Sequence, residues 1–180
     1  MRKVLYLLGQ LSDTDVEWLI ARGRKQLISA GTVLIHEGRP IDSLYVVLQG
    51  TLGVAVPALG GRQTVRLGCG EVVGEISFVD ARPPSASVTA LEDTLVLAVP
   101  CRELAQKLER EAEFAARFYK AIAVFLSHRL RAAGQRLDYG AGQELRDDVA
   151  YADELDPAVL DQVHLAGTRF DEVLQRVLSG

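Results

Sequence analysis

The feature that most constrains the fold is a series of short β-branched segments between Gln26 and Val99, separated by turn residues. Glycine, proline and aspartate occupy the intervals, and many short strands at such spacing are typical of a sandwich or barrel. The segments are Thr32–Ile35, Leu44–Leu48, Thr51–Val56, Thr64–Leu67, Ala86–Leu91 and Thr94–Leu97. The pattern predicts a mainly β fold.

Helical periodicity flanks this β region. Ser12 is an N-cap for a short helix, and after Pro100 the pattern predicts a helix over 102–108 and a long one over 111–137. Apolar residues recur every three or four positions along the long helix, as expected for a helix face that packs against another apolar surface. They are Phe114, Phe118, Ile122, Phe125 and Leu126. Asp156 and Pro157 combine an N-cap with a first-turn proline and open a last amphipathic helix.

The charge distribution divides the chain in two. Residues 138–180 carry ten acidic and three basic side chains, whereas the whole chain has a net charge of −4. We therefore expect one domain over 1–137, followed by an acidic linker and helix over 138–180. An acidic balance gives no electrostatic attraction to nucleic acid or to an anionic membrane. The tail is expected to contact an unknown protein partner.

The cysteines and the N-terminus bear on localisation. Cys69 and Cys101 form no C-x-x-C pair, so neither a disulfide framework nor a thiolate metal site is indicated. The apolar start, Met1–Leu8, lacks a small-residue cleavage site, and no stretch approaches the ~18 apolar residues of a membrane span. The sequence predicts a cytoplasmic location.

Two longer segments carry a family resemblance. The first runs from Gly31 to Gly50 and the second from Gly74 to Ala90. Together, over roughly residues 10–137, they resemble the cyclic-nucleotide-binding domain, the β-roll of the catabolite activator protein and of the regulatory subunits of cyclic-AMP-dependent protein kinase. The resemblance implies a double-stranded β-roll (jelly roll) with flanking helices, followed by a hinge helix, a long helix and a C-terminal helix.

The resemblance also identifies the second segment with the family's phosphate-binding cassette. It implies that the backbone N–H groups of a short helix opening at Gly74 face an anion, and that the Glu75 carboxylate accepts a hydrogen bond from the ribose 2′-hydroxyl. Glu75 would otherwise be only a carboxylate at a helix start. The implied ligand-binding residues are Gly74, Glu75, Ile76, Ser77, Arg82, Ser85 and Ala86.

The cassette departs from the family pattern at one position. The resemblance places an arginine ten residues after the cassette glycine, where it pairs with the cyclic phosphate. This chain has Pro84 there, which has neither the charge nor a backbone N–H. Arg82, two residues upstream, is either a substitute phosphate contact or a solvated turn residue. We predict weak or altered cyclic-nucleotide binding.

Other motifs indicate no enzyme. The glycines from Gly68 to Gly74 imitate a dinucleotide fingerprint, but Val72 and Val73 favour strand and the prolines at 83 and 84 end any helix. The three histidines are far apart, with no H-x-H pair for a metal, and there is no G-x-S-x-G. We expect no catalytic residue, metal or cofactor.

Two functions remain open. The first is a cytoplasmic sensor of cAMP or cGMP that signals by moving its C-terminal helices, with the helix over 111–137 forming a homodimer. The second is an interaction scaffold with a degenerate nucleotide pocket, which Pro84 favours. A transcription factor would need a basic helix-turn-helix after the long helix, and the acidic tail argues against direct nucleic-acid binding.

Overall fold

The computed structural model describes residues 9–55, 63–138, 167–171 and 173–177. The helices are α1 (Asp13–Arg22), α2 (Glu75–Asp80), α3 (Cys101–Arg110) and α4 (Ala112–Asp138). The strands are β1 (Arg24–Ile28), β2 (Val33–Ile35), β3 (Ser43–Gln49), β4 (Leu52–Ala55), β5 (Gln63–Leu67), β6 (Val72–Val73), β7 (Ser87–Ala90) and β8 (Thr94–Pro100). Residues 167–171 and 173–177, called the C-terminal segment below, are helical. The predicted start of the last helix at Pro157 lies outside the described residues.

The strands form two four-stranded antiparallel sheets. One sheet has the order β1–β8–β3–β6 and the other β2–β7–β4–β5. This arrangement, with helices before and after it, confirms the predicted β-roll with flanking helices. Strands β4 and β5 are consecutive and pair with each other, whereas the other pairs, such as β1 with β8 and β2 with β7, join strands that are distant in sequence.

Strand β3 is apolar from Leu44 to Leu48 because both of its faces are buried. Leu44, Val46 and Leu48 pack into the core shared with the helices, while Tyr45 and Val47 face the core between the two sheets. Alternate residues of a strand point to opposite faces, so a strand buried on both sides must be apolar at every position. The inter-sheet core is completed from the second sheet, chiefly by Leu52, Leu67, Val88 and Ala90.

The long helix α4 buries its predicted stripe within its own chain. Phe114 and Phe118 are fully buried and Ile122 and Phe125 are 2% exposed, all in the core that α1, β3 and β8 share. The inference that this stripe supplies surplus apolar surface for a dimer is therefore wrong, because α1 and the C-terminal segment cover it. Phe125→Glu would place a charge in the domain core and would not test dimerisation cleanly.

The C-terminal segment packs against the N-terminal helix. Val173 and Val177 join the same core as Phe118 and Phe125, and the Arg169 guanidinium pairs with Asp13 at 2.7 Å. Arg169 also donates a hydrogen bond to the Leu11 carbonyl, and Arg176 lies 3.6 Å from Glu17. The two ends of the described chain therefore meet on α1.

A second ion pair fixes α1 to α4. The Arg117 guanidinium donates to both carboxylate oxygens of Asp15, at 2.7 and 3.1 Å. Asp15 is also the N3 residue of a capping box with Ser12, whose hydroxyl accepts from the Asp15 N–H. Burial opposes ionisation of Asp15, but the hydrogen bonds from Arg117 and Ser12 outweigh it and lower its pKa below 3.8.

This pKa predicts an acid-sensitive contribution to stability. A carboxyl whose folded pKa is depressed stabilises the fold above its unfolded pKa, and the stabilisation is lost as pH falls through the folded value. We expect Asp15→Asn to cost about 1–2 kcal/mol at pH 7, below the full worth of a buried charged pair because Arg117 is partly exposed. Urea denaturation measures the free energy of unfolding of both proteins, and the difference between them should narrow as pH falls below 3.8. A difference in unfolding free energy that does not depend on pH would show that the ion pair contributes nothing to stability.

Candidate functional site

The cassette segment, residues 74–87, opens on a glycine that the backbone requires. Gly74 has φ +92°, a left-handed conformation that side chains disfavour. A Cβ there would lie 2.9 Å from Ile41 Cδ1 and 3.7 Å from Ile35 Cδ1. Gly74 thus turns the chain from β6 into α2 while resting on the inter-sheet core.

The short helix α2 follows, as predicted for residues after Gly74. Its first residue, Glu75, is 1% exposed, whereas Ile76 is 52% exposed and Ser77 is half-buried. A buried carboxylate is costly unless hydrogen-bonded, so this carboxyl is held in place and is not a solvated helix-start charge. Which of these four residues contacts a ligand stays a prediction.

The return loop brings the other predicted residues back towards β7. Ala81 ends α2 in a left-handed conformation, with φ +56°, and the Arg82 N–H donates to Asp80 Oδ1 at 3.0 Å. Arg82 is exposed and lies beyond the helix end, roughly 9 Å along the axis from its start. Ser85 is exposed and Ala86 is half-buried.

Pro84 is buried and takes part in a joint that sequence reasoning did not identify. Its carbonyl accepts a hydrogen bond of 2.8 Å from the Gly38 N–H, and the Ser87 hydroxyl accepts one of 3.1 Å from the Glu37 N–H. The turn between β2 and β3 is thereby fastened to the end of the cassette segment. The only sequence signal was the glycine at 38, which marks a turn but not its partner.

The thiols offer no nucleophile at this site. Burial raises the pKa of Cys101 to about 11, assisted by the negative charge of Asp42, and burial also raises the pKa of Cys69. Both thiols are protonated at neutral pH and therefore weakly nucleophilic. Among the described residues, no group of three or more His, Cys, Asp and Glu side chains is placed to hold a metal.

A separate groove of about 270 Å³ lies between α1 and α3. It is lined by Trp18, Arg22, Glu103, Gln106, Lys107, Arg110 and Glu111. Four of its five charged side chains pair with one another, with Lys107 at 2.7 Å from Glu111 and Arg22 at 3.5 Å from Glu103. No cassette residue lines it.

Over the ranges that the structure describes, no helix is both long enough and apolar enough to cross a membrane.

Comparison with known proteins identifies the region that contains the cassette. Residues 25–111 match the family model of the cyclic nucleotide-binding domain. A cyclic AMP receptor protein of Thermus thermophilus is 34% identical over 144 residues, which are 79% of this chain and 65% of that protein. The chain thus spans slightly less than two thirds of that relative's length.

Solved structures give the same result. A crystal structure of the Thermus thermophilus catabolite activator protein matches with a TM-score of 0.61 and 26% identity, covering 97% of this chain and 85% of that one. The N-terminal domain of a transcriptional regulator from Streptomyces coelicolor matches at 30% identity with a TM-score of 0.58. That match covers 79% of this chain and 100% of the other.

Proposed function

Because the chain belongs to the cyclic nucleotide-binding domain family, we propose that it is a cytoplasmic regulatory module that binds cAMP or cGMP and catalyses no reaction. The observation that carries this proposal is the geometry of the cassette segment, in which Gly74 turns the chain into a short helix and buries Glu75. The predicted ligand-binding residues remain Gly74, Glu75, Ile76, Ser77, Arg82, Ser85 and Ala86.

The signal would pass from the cassette helix into the helical core. Phe78 of α2 packs edge-to-face against Phe118 of α4, with ring centroids 6.0 Å apart. Phe118 lies 5.9 Å from Phe114, which in turn lies 5.9 Å from Trp18 of α1. The C-terminal segment shares this core. A ligand that favours one placement of α2 would bias α4 and the C-terminal segment by its differential affinity for the two placements.

Phe78 gives a prediction for this path. We expect cAMP to alter hydrogen exchange in α4 and in the C-terminal segment, and Phe78→Leu to bind cAMP nearly as well while losing most of that change. Leucine keeps apolar contact but removes the ring pair. Val79→Ala, at an exposed position on the same helix, is the control and should retain the change. An unaltered exchange response in Phe78→Leu would exclude this contact from the path.

We also propose a homodimer through α4, on a different face from the one inferred at first. The exposed residues Ala116, Tyr119, Ala123 and Leu130 follow one another at intervals of three, four and seven residues, the spacing of a coiled-coil seam. Tyr119 is 48% exposed and Leu130 is 75% exposed. A second copy of the chain is the partner that such a self-complementary stripe fits. The acidic tail, residues 138–180, would contact another protein through the surface that its C-terminal segment does not bury against α1, with no direct contact to nucleic acid or membrane.

The alternative function is an interaction scaffold with a degenerate pocket, and Pro84 favours it. Thermal-shift titration with cAMP, cGMP and cyclic dinucleotides distinguishes the two functions. A ligand that binds only the folded state raises stability by about 2.7 kcal/mol at a hundred times its Kd. A shift with cAMP or cGMP supports the sensor, and a flat response to every nucleotide supports the scaffold.

A further inference from the structure

Arg39 lies on the turn between β2 and β3, next to Gly38, whose N–H is hydrogen-bonded to the Pro84 carbonyl. We propose that Arg39 contacts the phosphodiester of the ligand and replaces part of the charge that Pro84 removes. This inference rests on the proposed cyclic-nucleotide function. It assigns a ligand-binding role to a residue outside the cassette segment.

Two hydrogen bonds hold this turn against the cassette. The Gly38 N–H donates to the Pro84 carbonyl at 2.8 Å and the Glu37 N–H donates to Ser87 Oγ at 3.1 Å. The Arg39 N–H closes the turn on the His36 carbonyl at 3.2 Å. Arg39 directly follows Gly38, so their Cα atoms are about 3.8 Å apart. The Gly38 N–H is the group that is hydrogen-bonded to the carbonyl of residue 84. An arginine side chain that starts at position 39 is long enough to reach a ligand held beside position 84.

The charges around this joint leave few candidates. The cations on the turn and the return loop are Arg39 and Arg82, and both are exposed. Among the residues that the structure describes, neither forms an ion pair with a side chain. Arg82 follows the far end of α2, where its N–H binds Asp80, whereas Arg39 adjoins the residue that contacts Pro84. Both arginines thus lie near position 84, Arg82 two residues before it along the chain and Arg39 across the hydrogen bond from Gly38. Of the two, Arg39 is on the turn whose backbone is bonded to the Pro84 carbonyl.

The chemistry of the ligand makes an arginine effective here. A cyclic phosphodiester presents two exocyclic oxygens, one axial and one equatorial, that share one negative charge. A guanidinium group binds such a pair of oxygens in a planar, bidentate manner. Lysine at the same place would supply only a point charge. Arg39→Lys should therefore bind less tightly than wild type and more tightly than Arg39→Ala.

The test is calorimetric titration of the full chain with cAMP. We expect Arg39→Ala to weaken binding at least about tenfold, the lower range for loss of one charged hydrogen bond. Arg24→Ala, at an exposed position on strand β1, is the matched control and should bind within a few-fold of wild type. Arg82→Ala is measured beside it as the alternative phosphate contact. In Arg39→Ala combined with Pro84→Arg, the new guanidinium should restore the affinity. Thermal melts without ligand verify that each variant is folded.

The outcomes separate this inference from the function on which it rests. If wild type binds cAMP and Arg39→Ala binds it equally well, the proposed role of Arg39 is overturned, while the proposed function is not. A larger loss in Arg82→Ala than in Arg39→Ala would assign the contact to Arg82 instead. If wild type and Pro84→Arg both fail to bind any cyclic nucleotide, the proposed function fails, and the role of Arg39 fails with it.

Discussion

Replacing Pro84 by arginine is expected to strengthen cAMP binding about ten- to over a hundredfold. The gain corresponds to one charged hydrogen-bonding contact, about 1.5–3 kcal/mol, converted by the affinity relation. The backbone tolerates the change in principle, because the hydrogen bond from Gly38 uses the Pro84 carbonyl, which every residue has. The measurement is calorimetric titration with cAMP.

Pro84→Ala is the matched control for this substitution. It removes the ring but adds no charge, so it should bind cAMP as wild type does. If Pro84→Ala gains as much cAMP affinity as Pro84→Arg does, the rigid ring limits binding and the missing guanidinium does not. If a folded Pro84→Arg protein gains no cAMP affinity, the rest of the pocket does not match the nucleotide.

The second large effect is expected at the exposed face of α4. Leu130→Glu should convert the proposed dimer to a monomer at tens of micromolar, because a two-fold interface would bury the new charge twice. The side chain is 75% exposed in the single chain, so the domain should remain folded. Light scattering gives the mass, and thermal melting verifies folding.

Leu27→Glu is the control for Leu130→Glu. Leu27 is 69% exposed on the edge strand β1, and the same substitution there should leave the mass unchanged. If Leu27→Glu dissociates the protein and Leu130→Glu does not, the interface lies along β1. Wild-type protein that is monomeric at tens of micromolar would exclude the dimer.

Local sequence patterns predicted the elements that are determined by local chemistry. The N-cap at Ser12, the apolar strands β3 and β8 and the turn at Gly74 all follow from residue type and spacing, and the structure contains each of them. Strand β1 was missed because Arg24, Lys25 and Gln26 are polar. Only its pairing with β8, where Gln26 lies opposite Val96, makes it a strand.

Long-range contacts explain the remaining differences. The apolar stripe of α4 was predicted correctly as one face of a helix. Periodicity does not show which element packs against that face, and in the structure α1 and the C-terminal segment cover it. The same holds for the joint between Gly38 and Pro84, which are far apart in sequence. The cassette was identified because its contiguous residues resemble a family motif. The turn at Gly38 was also predicted, but its hydrogen bond to Pro84 was not.

The central claim is that the cassette segment binds a cyclic nucleotide, and titration calorimetry of the full chain with cAMP tests it most directly. The matched variant is Gly74→Ala, whose Cβ would lie 2.9 Å from Ile41 on a backbone with φ +92°. We predict saturable binding of one cAMP per wild-type chain, and at least about tenfold weaker binding by a Gly74→Ala protein that still melts cooperatively. Absence of measurable binding by wild type, or equal binding by both proteins, would contradict the account.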